Sequence, residues 1–454
     1  MAFKENATQF STSGGNDFSD IVIGFDFGTS CTKIVLQDTI LRNAFAVPFV
    51  DKGHQNNVYL LPTKLGFTKH GECKIAGLNE QGRGGLKYQL MTNPERSAHV
   101  KAESRLQTNV SALVSAYIAL ALRKARLWFL ENFQTDYGKN SIRWHFNLGI
   151  PTRNYDDRSI YVAFLRAAYA GWWLSIQEGP VTVHAANDAF AKAMAGEFDP
   201  GLNPGVINIV PEVAAEVASY ARSYRRQSGL HMIVDVGAGT MDIATFRLES
   251  TEGGDEYGFL WAEVCDYACK KLHDYRLDYA KKYLDHWITE LSKIDETFPE
   301  IPSSPDKYVP PALDRSLVEA DRCFLEEAKK AISRVAAISY TKKDPNASEW
   351  KSGVPLFLCG GGANLSIFKE QLVRKAEDML KNYEIARFQS RSLTKPENLR
   401  AEGLRQNEYH RLAVAYGLSF FYDDIGKIVP PSEIEDTKRI ERIKVVDPVT
   451  KEMV

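Results

Sequence analysis

One short pattern occurs twice in this chain. Residues Ile21 to Leu36 read IVIGFDFGTSCTKIVL, and residues Met232 to Leu248 read MIVDVGAGTMDIATFRL. Each opens with an apolar run suited to a buried strand. Each continues with Asp, one apolar residue, Gly, small or hydroxyl residues, and a second β-type run. Asp26 falls opposite Asp235, Gly28 opposite Gly237 and Ser30 opposite Gly239. Two strands around a glycine bend predict a hairpin. A second copy at domain-scale separation predicts a duplicated lobe. An ordinary hairpin with an acidic entry explains one such turn, but not the pair.

The bend has a definite chemistry. Glycine permits positive φ and removes the Cβ, so a phosphate can approach the backbone. Backbone amides of Gly28-Thr29-Ser30-Cys31 and Gly237-Ala238-Gly239-Thr240 are candidate phosphate donors, with the hydroxyls of Thr29, Ser30 and Thr240. Lys33 brings positive charge. Asp26 and Asp235, on opposing hairpins, are candidate catalytic residues facing a shared Mg²⁺. They would act through water, because magnesium keeps much of its hydration shell. A third element, Pro355 to Leu372, reads PLFLCGGGANLSIFKEQL. It predicts a strand running into Gly360, Gly361, Gly362 and Ala363, then a helix. Close backbone approach at a helix start suits a base or a phosphate. Alone, a triple glycine is a tight turn; third in this order, it fits an adenine and ribose cradle. No Gly-x-Gly-x-x-Gly pattern and no lysine-bearing P-loop occurs.

Composition narrows the class. At 454 residues and 44% hydrophobic content, the chain is too long for one ordinary core. Lys and Arg number 56 against 58 Asp and Glu, a net charge of −2, so nucleic acid is not expected as the main partner. Met1 to Asp20 is polar, lacks the pattern of a secretory signal, and reads as a disordered lead-in. Arg123, Lys124 and Arg126 interrupt the apolar stretch Leu113 to Phe133, so no membrane span is expected. Six scattered cysteines read as reduced thiols of a cytoplasmic protein. Cys265 and Cys269 share a helical spacing, but no second ligand pair lies nearby for a metal.

The order of the three motifs resembles the superfamily of actin, sugar and acetate kinases, and DnaK-type heat-shock chaperones. The likeness runs from Ile21 to Asp424. Val210-Pro-Glu-Val-Ala-Ala-Glu-Val and Arg411-Leu-Ala-Val-Ala-Tyr-Gly-Leu resemble its two connecting helices. The chaperone branch is the most similar, through FNLGIPTRNYDD at Phe146 to Asp157 and through Pro62, Thr63 and Gly77. The resemblance implies an α/β chain with the actin-like ATPase fold: two ribonuclease H-like lobes, mixed sheets flanked by helices, around a nucleotide cleft. The implied divisions are a first lobe at 21–207, a second at 208–424 with a mobile helical subdomain near 255–340, and a tail at 425–454. ATP or ADP with Mg²⁺ would bind in the cleft, which closes on ATP and opens after slow hydrolysis. The implied activity is a nucleotide-driven switch for a protein partner. A filament-forming ATPase, a nucleotide-binding scaffold, and a small-molecule kinase with Asp156, Asp157 or Asp188 as base remain alternatives.

The sequence also departs from the chaperone pattern. Asn79 falls where spacing places the catalytic lysine of those chaperones, whereas Lys33 matches a lysine of actin. Glu212, the candidate water-positioning acid, stands one residue out of register, with Glu216 as fallback. One residue turns a helical side chain by about 100°. The extra segment 174–206 is read as a short helix and a turn-rich loop that either serves a partner or decorates the surface. Trp172 and Trp173 are expected in a core, and Lys329 and Arg334 are possible adenine contacts. The stretch after Tyr422 is too short for the peptide-binding domain of those chaperones.

Overall fold

The computed structural model describes residues 18–51, 57–77, 80–100, 106–197, 206–284, 301, 308 and 314–437. Residues 1–17 of the expected lead-in, Asn79, most of the turn-rich loop at 198–205 and the end of the tail lie outside the described residues, whereas residues 18–20, also expected in the lead-in, are the start of the first strand.

Strands β1 (Phe18–Phe27) and β2 (Cys31–Asp38) form the first hairpin, and β3 (Asn43–Ala46) returns beside β2. The short helix α1 (Leu86–Thr92) and the long α2 (Val110–Asn132) follow. Helix α2 starts where the Asn109 side chain accepts from the Ala112 amide, satisfying a donor that the helix itself cannot. Next come β4 (Ser141–Ile150), α3 (Arg158–Ile176), α4 (Val183–Ala195) and β5 (Ile207–Pro211). Helix α5 (Glu212–Ala221) leads into the second half: β6 (Gly229–Val236), β7 (Met241–Thr251), β8 (Gly254–Cys265), α6 (Cys269–Leu284) and α7 (Asp314–Ile338). Strands β9 (Pro355–Cys359), β10 (Gln389–Arg391) and β11 (Leu399–Arg400), helix α8 (Ala413–Leu418) and strand β12 (Lys427–Val429) follow.

The protein is mixed α/β, and its two large sheets have the same plan. The first runs β5-β4-β1-β2-β3-β11, with Leu61–Pro62 pairing off that path; the second runs β10-β9-β6-β7-β8-β12. Every corresponding pairing has the same sense. The β1–β2 and β2–β3 pairs are antiparallel, as are β6–β7 and β7–β8. The β1–β4, β4–β5 and β3–β11 pairs are parallel, as are β6–β9, β9–β10 and β8–β12. The repeated hairpin is thus the centre of a repeated sheet. Strand β1 is buried along its length beyond Phe18, as a strand covered on both faces must be.

Each half has its own core. Trp172 is buried against Phe146, with ring centroids 6.0 Å apart, while Trp173 is partly buried under the Lys192 ammonium. The buried Arg123 guanidinium donates to the carbonyls of Leu174, Ser175, Gln177 and Gly179, which closes the end of α3. Two expectations need correction. Helix α4 is not surface decoration: Val183, Ala186, Ala189, Phe190 and Ala193 are buried in the first core. The charged segment from Asp255 does not begin as helix; its first residues continue β8, paired with β7, and the helix starts at Cys269.

Helices α5 and α8 join the halves. Helix α8 crosses β1 so closely that a Cβ on Gly24 would lie 2.1 Å from the Ala415 carbonyl oxygen. A Cβ on Gly417 would lie 1.8 Å from the Ala215 carbonyl oxygen of α5. Both contacts are with backbone, which cannot step aside as a flexible side chain would. Gly417→Ala should therefore destabilise the fold by about 3 kcal/mol or prevent folding. Urea denaturation reads this, and an unchanged midpoint would contradict the packing.

Candidate functional site

A cleft opens where the two hairpins face each other. The first hairpin lines it with Asp26, Gly28, Thr29, Ser30, Cys31 and Lys33, the second with Asp235, Gly237, Ala238 and Thr240. Gly360 and Gly361 enter from the turn after β9. The three motifs, far apart in the chain, thus line one cavity. Three predicted residues do not. Gly239 lies at the mouth, where a Cβ would stand 2.8 Å from Thr29 Cγ2 of the opposite loop. Gly362 packs beneath, facing Val236 and Cys269, and Ala363 lines a neighbouring cavity. Lys329 pairs with Glu326 and Arg334 with Glu263, and neither lines the cleft.

The loops are braced from behind. Thr63 donates its hydroxyl to the Gly28 carbonyl at 2.8 Å and its amide to the Ser30 carbonyl at 2.8 Å. The Lys270 amide holds the Ala238 carbonyl at 2.8 Å. Among the described residues, the amides of Thr29, Ala238 and Gly239 meet no protein acceptor and are available to an anion. Gly360 has φ +78°, and a Cβ there would lie 2.0 Å from Asp235 Oδ1, so only glycine lets this turn seat against the aspartate.

The hairpins differ at one equivalent position. Register pairs Asp26 with Lys33 in the first and Asp235 with Asp242 in the second. Lys33 Nζ donates to Asp26 Oδ2 at 2.7 Å. Burial alone would lower the Lys33 pKa, but the Asp26 carboxylate outweighs it and raises the value. Asp235 has no such cation, and its Oδ1 has no hydrogen-bond partner among the described residues. Burial, then the charges of Glu212 and Asp26, push Asp235 up to about 7. Burial and Glu212 likewise push Asp242 well above the carboxylate range.

Among the cleft-lining residues that sequence reasoning had not assigned there are Lys87, Asp242, His410 and Arg411. Lys87, on α1, donates to Glu212 Oε1 at 2.6 Å in a buried ion pair. Its pKa is raised because Glu212 overcomes the effect of burial, while burial lifts Glu212 despite Lys87. The register shift of Glu212 does not remove it from the cleft, because it opens α5 directly after Pro211. Glu216 lies one turn further, buried against Cys359; burial and Asp235 raise its pKa well above the usual value. Asp242 stands in the second motif itself, at the place that Lys33 holds in the first, and that equivalence was the available signal. No local pattern marks Lys87.

Five carboxylates line the cleft against three cations, Lys33, Lys87 and Arg411, a formal excess of acids that a divalent cation could offset. Among the described residues, no three His, Cys, Asp or Glu side chains converge closely enough to hold a metal directly, so a cation here needs water or ligand oxygens. Among the described residues, no helix is long and apolar enough to cross a membrane. No protein-family profile and no curated protein sequence matches this chain.

The acids make stability depend on pH. Between the ordinary value of 3.8 and about 7, folded Asp235 holds a proton that the unfolded chain has released. Its contribution to stability therefore falls as pH rises through that window. Asp235→Asn should be more stable than the parent by about 2 to 4 kcal/mol at pH 8, and nearly equal at pH 4. Urea titrations at both pH values check this; a gain confined to pH 4 would contradict the site's electrostatics.

Proposed function

We propose that the chain has the actin-like fold and binds one nucleoside triphosphate with Mg²⁺ between two ribonuclease H-like lobes. In this reading it hydrolyses ATP slowly and acts in the cytoplasm as a switch for a protein partner. The observation that carries it is the convergence of two equivalent hairpins and one glycine turn on a single cleft. The resemblance to the DnaK-type chaperones supplies the switch and the partner.

The residues present fit the group. The free amides of Thr29, Ala238 and Gly239 and the hydroxyl of Thr240 suit phosphate oxygens. At Gly361 a Cβ would meet only Arg411 Nη1, at 3.8 Å, so the turn presents bare backbone to the cleft, as an adenosine site requires. Asp26, Asp235 and Asp242 supply the carboxylates to hold a hydrated cation. Magnesium, when bound, would neutralise phosphate charge and make the terminal phosphorus a better electrophile. Lys87 fixes the Glu212 carboxylate, which can orient a water and accept its proton. Such hydrolysis is mostly positioning plus electrostatics.

A scaffold without hydrolysis rested on a lysine absent at Asn79 and an acid out of register. Lys87 and Glu212 meet in the cleft and weaken both grounds. Purified chain should turn over Mg·ATP, and Glu212→Gln should slow it by about 100-fold. The variant should keep the thermal stabilisation that Mg·ATP confers. Equal rates would remove Glu212 from the mechanism. Neither turnover nor stabilisation in the parent would overturn the nucleotide assignment.

A further inference from the structure

A second, open cavity lies beyond the glycine turn. His410 lines both it and the cleft, while Cys359 and Ala363 line the cavity at the ends of the turn. Its composition is unlike that of the cleft. The apolar part comes from Leu356, Leu358, Val373, Phe388 and Leu393. Around it stand the hydroxyls of Ser390, Ser392 and Thr394 and the amides of Asn364 and Asn407. No carboxylate lines it.

Two cations do. Lys369 comes from the turn of helix after the glycines, and Arg391 from the edge strand β10. Both are exposed, and neither makes an ion pair among the described residues. Arg391 Nη2 donates to Gln389 Oε1 at 2.9 Å, a neutral acceptor that leaves the charge uncompensated. Elsewhere on this half cations pair readily: Lys375 with Glu326, Lys381 with Asp378, Arg247 with Asp344. His410 adds no charge near neutrality, because burial and the neighbouring Arg411 lower its pKa to about 4. Its buried Nε2 has no hydrogen-bond partner among the described residues.

We infer that this cavity is a second ligand site, distinct from the cleft, for a small organic anion with a flat apolar body. The apolar lining takes the body, Lys369 and Arg391 take the phosphate, sulfonate or carboxylate, and the hydroxyls and amides orient it. A mostly apolar concavity with a few convergent polar groups is the usual form of such sites. An arginine and a lysine together favour an anion over a neutral ligand. The assignment does not depend on what the cleft binds.

The probe is 1-naphthyl phosphate, titrated calorimetrically into the full chain without nucleotide. One saturable site is expected. Lys369→Ala/Arg391→Ala should weaken it by about tenfold or more, as should replacing the probe by uncharged 1-naphthol. Inorganic phosphate alone should also bind more weakly, since it lacks the apolar body. Both side chains are exposed, so the double variant should melt with the parent; if it does not, Lys369→Gln/Arg391→Gln serves in its place. Absence of saturable binding up to millimolar probe would overturn the site. Undiminished binding to the double variant would do the same, since it would place the probe elsewhere.

Discussion

Five carboxylates line one cleft, four of them buried and Asp235 half-buried, and the structure must accommodate their mutual repulsion. Isolated buried charges are expensive unless paired or neutralised. Two are paired, Asp26 with Lys33 and Glu212 with Lys87. Burial pushes the remaining three, Asp235, Glu216 and Asp242, toward the protonated form. A stable core would not gather acids in this way; perturbed carboxylates in a cleft make it a candidate site, where a ligand would complete the charge balance. The helix that carries Glu212 and Glu216, α5, is itself crossed by α8 with backbone against backbone at Gly417.

The two halves repeat one plan, and they differ at one position of the motif. The two sheets agree in order and sense through all six strands, and the hairpins occupy equivalent places. At the position opposite the motif aspartate, one copy has Lys33 and the other Asp242. The first hairpin is therefore internally neutralised, while the second remains acidic and has an unpartnered Asp235 oxygen. A hydrated cation has more to gain at the second hairpin.

The hairpins and the glycine turn were legible because their chemistry is local: a strand, an aspartate, and glycines where backbone must approach closely. Lys87 was not. Counting along the chain from Pro62 and Thr63 leads to Asn79, but the chain returns so that Arg83 bridges Leu65, and α1 then carries Lys87 to the cleft. Glu212 appeared displaced by one residue for a similar reason: register on a helix says little until the strand before it is placed. The charges of β8 resemble those of a helical surface, yet pairing with β7 governs that segment. Helix α4 looked like an insertion, although its alanines and Phe190 match a buried face once α2 and α3 are beside it.

The central claim is that one nucleotide is gripped by both halves at once. Hydrogen–deuterium exchange of the full chain, with and without Mg·ATP, tests it directly. The expected result is slower exchange, on adding Mg·ATP, in the loops 28–31, 237–240 and 360–363 together. Protection of one hairpin without the other, or of none of the three loops, would contradict it.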